Sequence, residues 1–479
     1  MSTKMGIWRG ALAGAVVLLA VGTASARVID PTGVTTNETA AILLYPKLKV
    51  DLNTCIRTNF NTAPGTCSLT QTACESDADC QTDPPVAGVD TLVQLTNTSE
   101  FLTKVHCFYT NTNSHCSNSP ETICTDANFR DVCPAGGLCV PGWQETDFRL
   151  TLTKRQPISW SVNQGLSSLP LATTPGQGSP PQFNEGSIPP VLEVPFTGEL
   201  LCVQVDVTTE LPADRNDLKG EASIVKSVRD RIDDAKYTAI GIKAIEGRQD
   251  QNPNVLNIGG PEAEYGVINE NVDPPFTGCP NVLTVNHFFD GANVVTHDGE
   301  LGSPVHTDLT VVPCERDYLT QTANAPGATV QFLIYNEFEQ RFSTSTRVDC
   351  YKETPLSDID TRPGSEGDAF SIFNVGVQGT ITGMSRLRSV SGPNVDGYDA
   401  RTILALVGEN WGAGTCSAAP GTSGAPGIKP LEPAIQLCAT DADCGTGETC
   451  QNPFVATDDA NVQFQGSRPQ GDQIKIPLP

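Results

Sequence analysis

A pair of β-type phrases occurs twice in this chain. DTLVQLTNTSEFLTKVHCFYTN runs from Asp90 to Asn111, and ATVQFLIYNEFEQRFSTSTRVDCYKET runs from Ala328 to Thr354. In each, a Val-Gln strand passes through an Asn-containing turn into a return strand with an aliphatic residue just before His106-Cys107 or Asp349-Cys350. Alternation of apolar and polar residues is the signature of a half-buried strand. Two such strands around a polar turn predict a core hairpin, and its recurrence predicts two related halves. A proline-interrupted β run precedes each copy, AAILLYPKLKVDL at Pro46 and HTDLTVVPCERDYL at Pro313. Proline cannot donate to a ladder, so these positions imply a sheet edge or a bulge. The expected fold is mostly β: two related antiparallel β-sandwich domains of Ig-like type, residues 27–255 and 256–479. Val225 to Gly260 is the least strand-like region: SVRDRIDDAKYTAI reads as the start of a short charged helix, YTAIGIKAI returns to strand, and the boundary falls near residue 255.

Seventeen cysteines are distributed unevenly over this pattern. Three loop segments, near 55–86, 113–141 and 413–452, carry four each: Cys55, Cys67, Cys74 and Cys80; Cys116, Cys124, Cys133 and Cys139; Cys416, Cys438, Cys444 and Cys450. Each contains Cys-Ser and an Asp-Ala shortly after a cysteine, so they read as three copies of one small unit. Units of this size bury too little apolar surface to fold without staples. Each set closes as two disulfides among three connectivities. Cys107, Cys202, Cys279, Cys314 and Cys350 are left in the framework. Cys107 and Cys202 both sit in strands of the first half, which predicts a disulfide between them. In the second half the strand RTILALVGEN has Ala405 where Cys202 would be, so Cys279 or Cys314 is expected to partner Cys350. The odd count leaves a thiol that is free, buried or bonded to another chain, and the last case implies self-association.

The amino terminus has Lys4 and Arg9 ahead of an apolar run from Ala11 to Val21 and ends its first 26 residues in Ala24-Ser25-Ala26. That is the pattern of a secretory signal peptide cleaved near Ala26, and it fits the cysteine usage. The run is too short for a membrane span. The expected location is secreted, periplasmic or at the cell surface. A formal net charge of −25 repels phosphate backbones and anionic lipid, excluding nucleic-acid partners, while remaining compatible with divalent cations.

Candidate chemistry is sparse. His287, His297 and His306 lie near Asp290, Asp298, Glu300 and Asp308, and imidazoles beside carboxylates are the material of a Zn²⁺ site or a general base. Their spacing matches no helical ligand pair. Asp77 with Asp79, and Asp441 with Asp443, offer oxygen ligands of the kind Ca²⁺ takes, without the EF-hand pattern; aspartates in tight loops also cap turns. No nucleophile elbow, zinc-protease helix or phosphate loop is present. Trp143 and Trp160 are candidates for either a carbohydrate-stacking surface or the sandwich core. These features predict a non-enzymatic secreted structural or binding protein, of adhesion-like type, whose partner is an extracellular protein or a glycan. The alternative is a secreted metal-dependent hydrolase built on His287, His297 and His306.

The cysteine units, above all Cys438 to Cys450 with Thr-Asp-Ala-Asp-Cys and Gly-Thr-Gly-Glu-Thr-Cys, resemble the Dickkopf amino-terminal type of cysteine-rich repeat found in secreted bacterial proteins. The resemblance covers well under a fifth of the chain and implies extracellular disulfide modules rather than signalling. The sandwich halves resemble uncharacterised secreted bacterial β-sandwich proteins, which imply no activity.

Overall fold

The computed structural model describes residues 34–52, 55–56, 65–67, 73–74, 87–124, 129–134, 136–166, 169–171, 182–184, 187–228, 231–245, 254–259, 276–290, 292–293, 304–319, 327–360, 362–363, 369–390, 402–412, 414–418, 437–438, 448–451, 455–460, 462–467 and 472–477. The leader segment lies outside them. No helix among the described residues is long and apolar enough to cross a membrane.

In the first unit the main strands are β1 (Val34–Thr35), β2 (Ile42–Val50), β3 (Ala87–Asn97), β4 (Thr103–Asn111), β5 (Gln144–Leu152), β6 (Pro157–Ser161), β7 (Phe196–Val205), β8 (Leu218–Val228), β9 (Arg231–Thr238) and β10 (Ile240–Ile242). They form a six-stranded sheet in the order β1-β10-β2-β7-β4-β5 and a four-stranded sheet in the order β6-β3-β8-β9. All pairings are antiparallel. Leu43, Tyr45, Val93, Leu95, Val105, Tyr109, Phe148, Leu150, Leu152 and Trp160 fill the space between the sheets. The alternation that predicted β5 is the physical cause of its burial pattern, since Phe148, Leu150 and Leu152 face inward while Arg149 is exposed.

The second unit contains β11 (Val255–Ile258), β12 (Pro280–Phe288), β13 (Pro304–Pro313), β14 (Arg316–Asp317), β15 (Gly327–Asn336), β16 (Arg341–Asp349), β17 (Lys352–Pro355), β18 (Thr382–Val390), β19 (Ile403–Gly412), β20 (Val455–Ala460), β21 (Val462–Ser467) and β22 (Asp472–Lys475). One sheet has the order β16-β15-β18-β12-β21; the facing sheet has β13 beside β19 and β19 beside β20, with β17 also pairing with β13. Leu283, Val285, Val311, Val330, Phe332, Ile334, Leu387 and Ala405 form its core. The chain is thus a mostly β protein of sandwich type.

Two expectations are corrected. The first copy of the repeated phrase is not a hairpin. β3 and β4 belong to opposite sheets, and the chain crosses between them through Thr98–Leu102, held by the Asn97 side-chain amide donating to the carbonyls of Phe101, Leu152 and Thr153. The second copy is a hairpin: β15 pairs with β16 from Gly327–Asp349 to Tyr335–Arg341. There the Asn336 side-chain oxygen accepts from the backbone of Phe338 and Gln340, closing a tight loop with Glu339 at positive φ. The charged stretch after Val225 is not helical either, because β8 and β9 pair antiparallel from Glu221–Thr238 to Val228–Arg231. Its residues alternate across a sheet, and ladder pairing overrides the helical reading of its charges.

Pro46 lies in β2 beyond the end of its ladder with β10, which covers only Ile42–Leu44, and at a slip in its ladder with β7, so it sits at a local edge and a bulge together. The β2–β7 register slips between Leu200 and Gly198, leaving Pro46 and Lys47 opposite Glu199. β2, β4 and β7 are buried on both faces. Their outward side chains Ile42, Leu44, Phe108, Leu201 and Val203 join Trp143 with Val312, Tyr318, Leu404 and Ile474 of the second unit in a further core. Inside this seam the Arg316 guanidinium forks onto Glu199, Nε to Oε1 at 2.7 Å and Nη2 to Oε2 at 2.8 Å. Phe108 and Trp143 stack on Tyr318 at centroid distances of 4.8 and 5.5 Å. Lys47 and Lys49 of β2 both reach Glu353 of β17, at 2.9 and 2.6 Å.

Disulfides staple this frame. Cys107 and Cys202 face each other across β4 and β7 and are bonded. In the second cysteine unit Cys116 joins Cys133 and Cys124 joins Cys139, an interleaved connectivity. Cys279 bonds Cys314, which corrects the expected pairing of Cys350: that thiol is buried and free. Cys279 and Cys314 lie in the seam together with Cys350, but each already has the other as partner.

Candidate functional site

Among the described residues, the sequence-derived candidates do not converge. Asp77, Asp79, Asp441, Asp443, His297 and Cys444 lie outside the described residues. Cys438 and Cys450 lie on short strands opposite Gly414 and Cys416. His306 sits on β13 opposite Asn410, in a different sheet from His287. His287 is a core residue at 2 % exposure. Its Nδ1 is 3.2 Å from the carbonyl of Phe288, which can only accept, so the proton is on Nδ1 and Nε2 accepts from the Ser385 hydroxyl at 2.8 Å. Both ring nitrogens are committed, and Phe289 and Phe373 pack against the ring. Burial pushes its pKa down to about 4, so it is neutral. The two groups of close sulfur ligands among the described residues, Cys116 with Cys124 and Cys133, and Cys279 with Cys314 and Asp472, are built from disulfide sulfurs rather than thiolates. Trp160 is inside the first core, donating to the Tyr109 hydroxyl at 2.6 Å, and Trp143 is inside the seam, so neither offers a stacking face to a sugar.

A site that the sequence reading did not identify lies on the outward face of the β16-β15-β18-β12-β21 sheet. Residues of one parity on each strand point outward. Cross-strand register sets them in rows: Arg341, Tyr335, Met384 and Asn286; then Ser343, Leu333, Arg386 and Thr284; then Ser345, Gln331 and Arg388. Arg341, Arg386 and Arg388 are exposed, and no carboxylate among the described residues pairs with them. Arg388 donates its Nε to the Gln331 amide oxygen at 2.8 Å, which orients the guanidinium without neutralising it. A fourth arginine, Arg347, is paired with Asp349 at 2.7 Å, and Glu337 at the hairpin tip accepts from Thr382. A shallow groove of about 300 Å³ runs between Arg341, Ser343, Leu333, Gln331, Arg386 and Arg388, over the side chain of Val282.

In a chain of net charge −25, three guanidinium groups with no carboxylate partner among the described residues converge on one groove. Arginine forks match carboxylate and sulfate geometry and act as anion receptors. The only sequence signal for it was the period-two spacing of Arg386 and Arg388; Arg341 reaches them only through strand pairing.

No family model and no curated protein matches the chain. Among solved structures, a human norovirus GI.7 Houston strain virus-like particle aligns over 78% of this chain and 75% of that chain at 11% identity, with a TM-score of 0.12, a level that carries no argument.

Proposed function

We propose that the chain is a non-enzymatic extracellular binding protein that engages an anionic partner through the arginine-bearing face of its second sandwich. The observation that carries this reading is the convergence of Arg341, Arg386 and Arg388, none paired with a described carboxylate, on one groove of a strongly acidic protein. The remaining features fit such a role. A leader of signal-peptide pattern, disulfide staples in both units and cysteine-rich loops resembling extracellular repeats accord with export into an oxidising compartment. The rival hydrolase reading loses support from His287, whose ring nitrogens are both engaged in the core.

The test uses the purified protein on a carboxylated surface. At neutral pH a chain with pI near 4.5 is repelled by such a surface unless a local basic face docks it. Retention that falls with salt and is lost in the R341S/R386S/R388S variant supports the proposal. Hydrolysis of glycans, esters or peptides, abolished by mutating one compact cluster elsewhere, would sink it.

A further inference from the structure

Resting on that reading, we infer that the anionic partner is an acidic polysaccharide rather than an acidic protein. The first argument is what the face lacks. Backbone amides and carbonyls of β15, β18 and β12 are consumed by ladders on both sides, so a ligand lying on the face meets side chains only. A bound peptide gains much of its affinity from main-chain pairing with a free sheet edge; among the described residues this sheet has one beside the groove only along β16, so a ligand crossing β15, β18 and β12 finds no such pairing.

The second argument is what the face presents. Ser343 and Gln331 line the groove with the guanidinium groups, and the cross-strand register sets Ser345 opposite Gln331 and Thr284 opposite Arg386 beside it. Hydroxyls and amides donate and accept, which is the complement of sugar hydroxyls, while guanidinium forks take the carboxylates or sulfates. The apolar anchors that dominate protein hot spots are weakly represented: Leu333 and Val282 are only half exposed and flush with the sheet. Residues two apart on a strand are separated by about 6.8 Å and neighbouring strands by about 4.8 Å. Arg386 and Arg388 therefore form a pair along one strand, and Arg341 stands two strands away and one row further on, so the charges trace an oblique line across the sheet. A linear polyanion lying obliquely meets all three.

Full-length protein is titrated with polygalacturonate, dextran sulfate, poly-L-glutamate and neutral dextran at matched charge and ionic strength. Binding of polygalacturonate or dextran sulfate at least tenfold tighter than poly-L-glutamate, and at least tenfold weaker in R341S/R386S/R388S, is the expected result. R386K keeps the charge and loses the fork, and should weaken polysaccharide binding several-fold. Because these side chains are exposed, an unchanged thermal midpoint shows that the variants fold. Poly-L-glutamate binding as tightly as the polysaccharides overturns this inference and leaves the anionic-partner reading standing. No binding to any polyanion overturns both.

Discussion

Cys350 holds its thiol inside the seam between the two sandwiches, at a residue with φ of 64°. Burial pushes the thiol pKa up to about 12, outweighing the nearby Arg316 charge. Since the thiolate is the reactive form, a thiol reagent at pH 8 should leave Cys350 unlabelled in the folded protein and label it in denaturant, read by peptide mapping; native labelling of Cys350 would contradict its placement. At Arg316 the stakes are energetic. Glu199 holds its guanidinium charged in a pair that water does not reach, at 1 % and 0 % side-chain exposure. Removing one member of such a pair strands the other, so E199Q should lower unfolding free energy by about 3–5 kcal/mol, whereas E199L/R316M should recover most of that loss in urea melts. The sequence showed Cys107 and Cys202 as neighbours because both stood in strongly patterned strands of one half. It misled at Cys350 because a thiol's partner depends on the fold's third dimension, where Cys279 and Cys314 meet first. Glu199 was hidden for the same reason: nothing local in FTGELLCVQV announces an arginine more than a hundred residues away.

Strands were legible as elements, and their sheets were not. Alternation located β5, β7 and both copies of the repeated phrase, yet whether a turn folds its strands into one sheet or across two depends on what anchors it. Asn97 ties its turn to the Leu152 and Thr153 carbonyls of a distant segment, while Asn336 closes its loop on residues within four positions. Both read as Asn-containing turns. The β2 bulge has a consequence at this scale, since it positions Lys47 and, two residues on, Lys49 to reach Glu353 on β17. Burial alone would raise the Glu353 pKa; the Lys49 and Lys47 ammonium groups overcome it and hold it down at about 2. A depressed carboxyl stabilises the fold above its unfolded value and loses that contribution as pH falls through the folded one. The window is therefore pH 4.5 down to about 2, and the contribution lost is roughly 3 kcal/mol. E353Q should be less stable than the parent at pH 7 and converge with it near pH 2 in acid-unfolding curves. A constant gap across that range would remove the ion-pair explanation.

The six-stranded sheet is shared property, packed on the four-stranded sheet through one face and on the second unit through the other. Two related halves were expected from a repeated phrase whose copies fold differently, and the outward Phe108, Leu201 and Val203 of β4 and β7 stand in strands that also carry polar residues and do not name what covers them. A fragment ending at residue 255 would expose Phe108, Trp143, Leu201 and Val203. It should bind a hydrophobic dye and lack a sharp thermal transition, whereas a monomeric fragment with a cooperative melt would show that the seam is dispensable. The bond between Cys107 and Cys202 also sets a load path. Tension applied at the chain ends crosses from β4 to β7 through sulfur, and the 95-residue excursion between them, with the second cysteine unit inside it, carries no force. Pulled to full extension in a force spectrometer, the oxidised protein should fall short of the reduced one by about 340 Å for that loop of 95 residues alone. A molecule wired this way can be strained along its backbone while the loop closed by the Cys107–Cys202 bond stays slack.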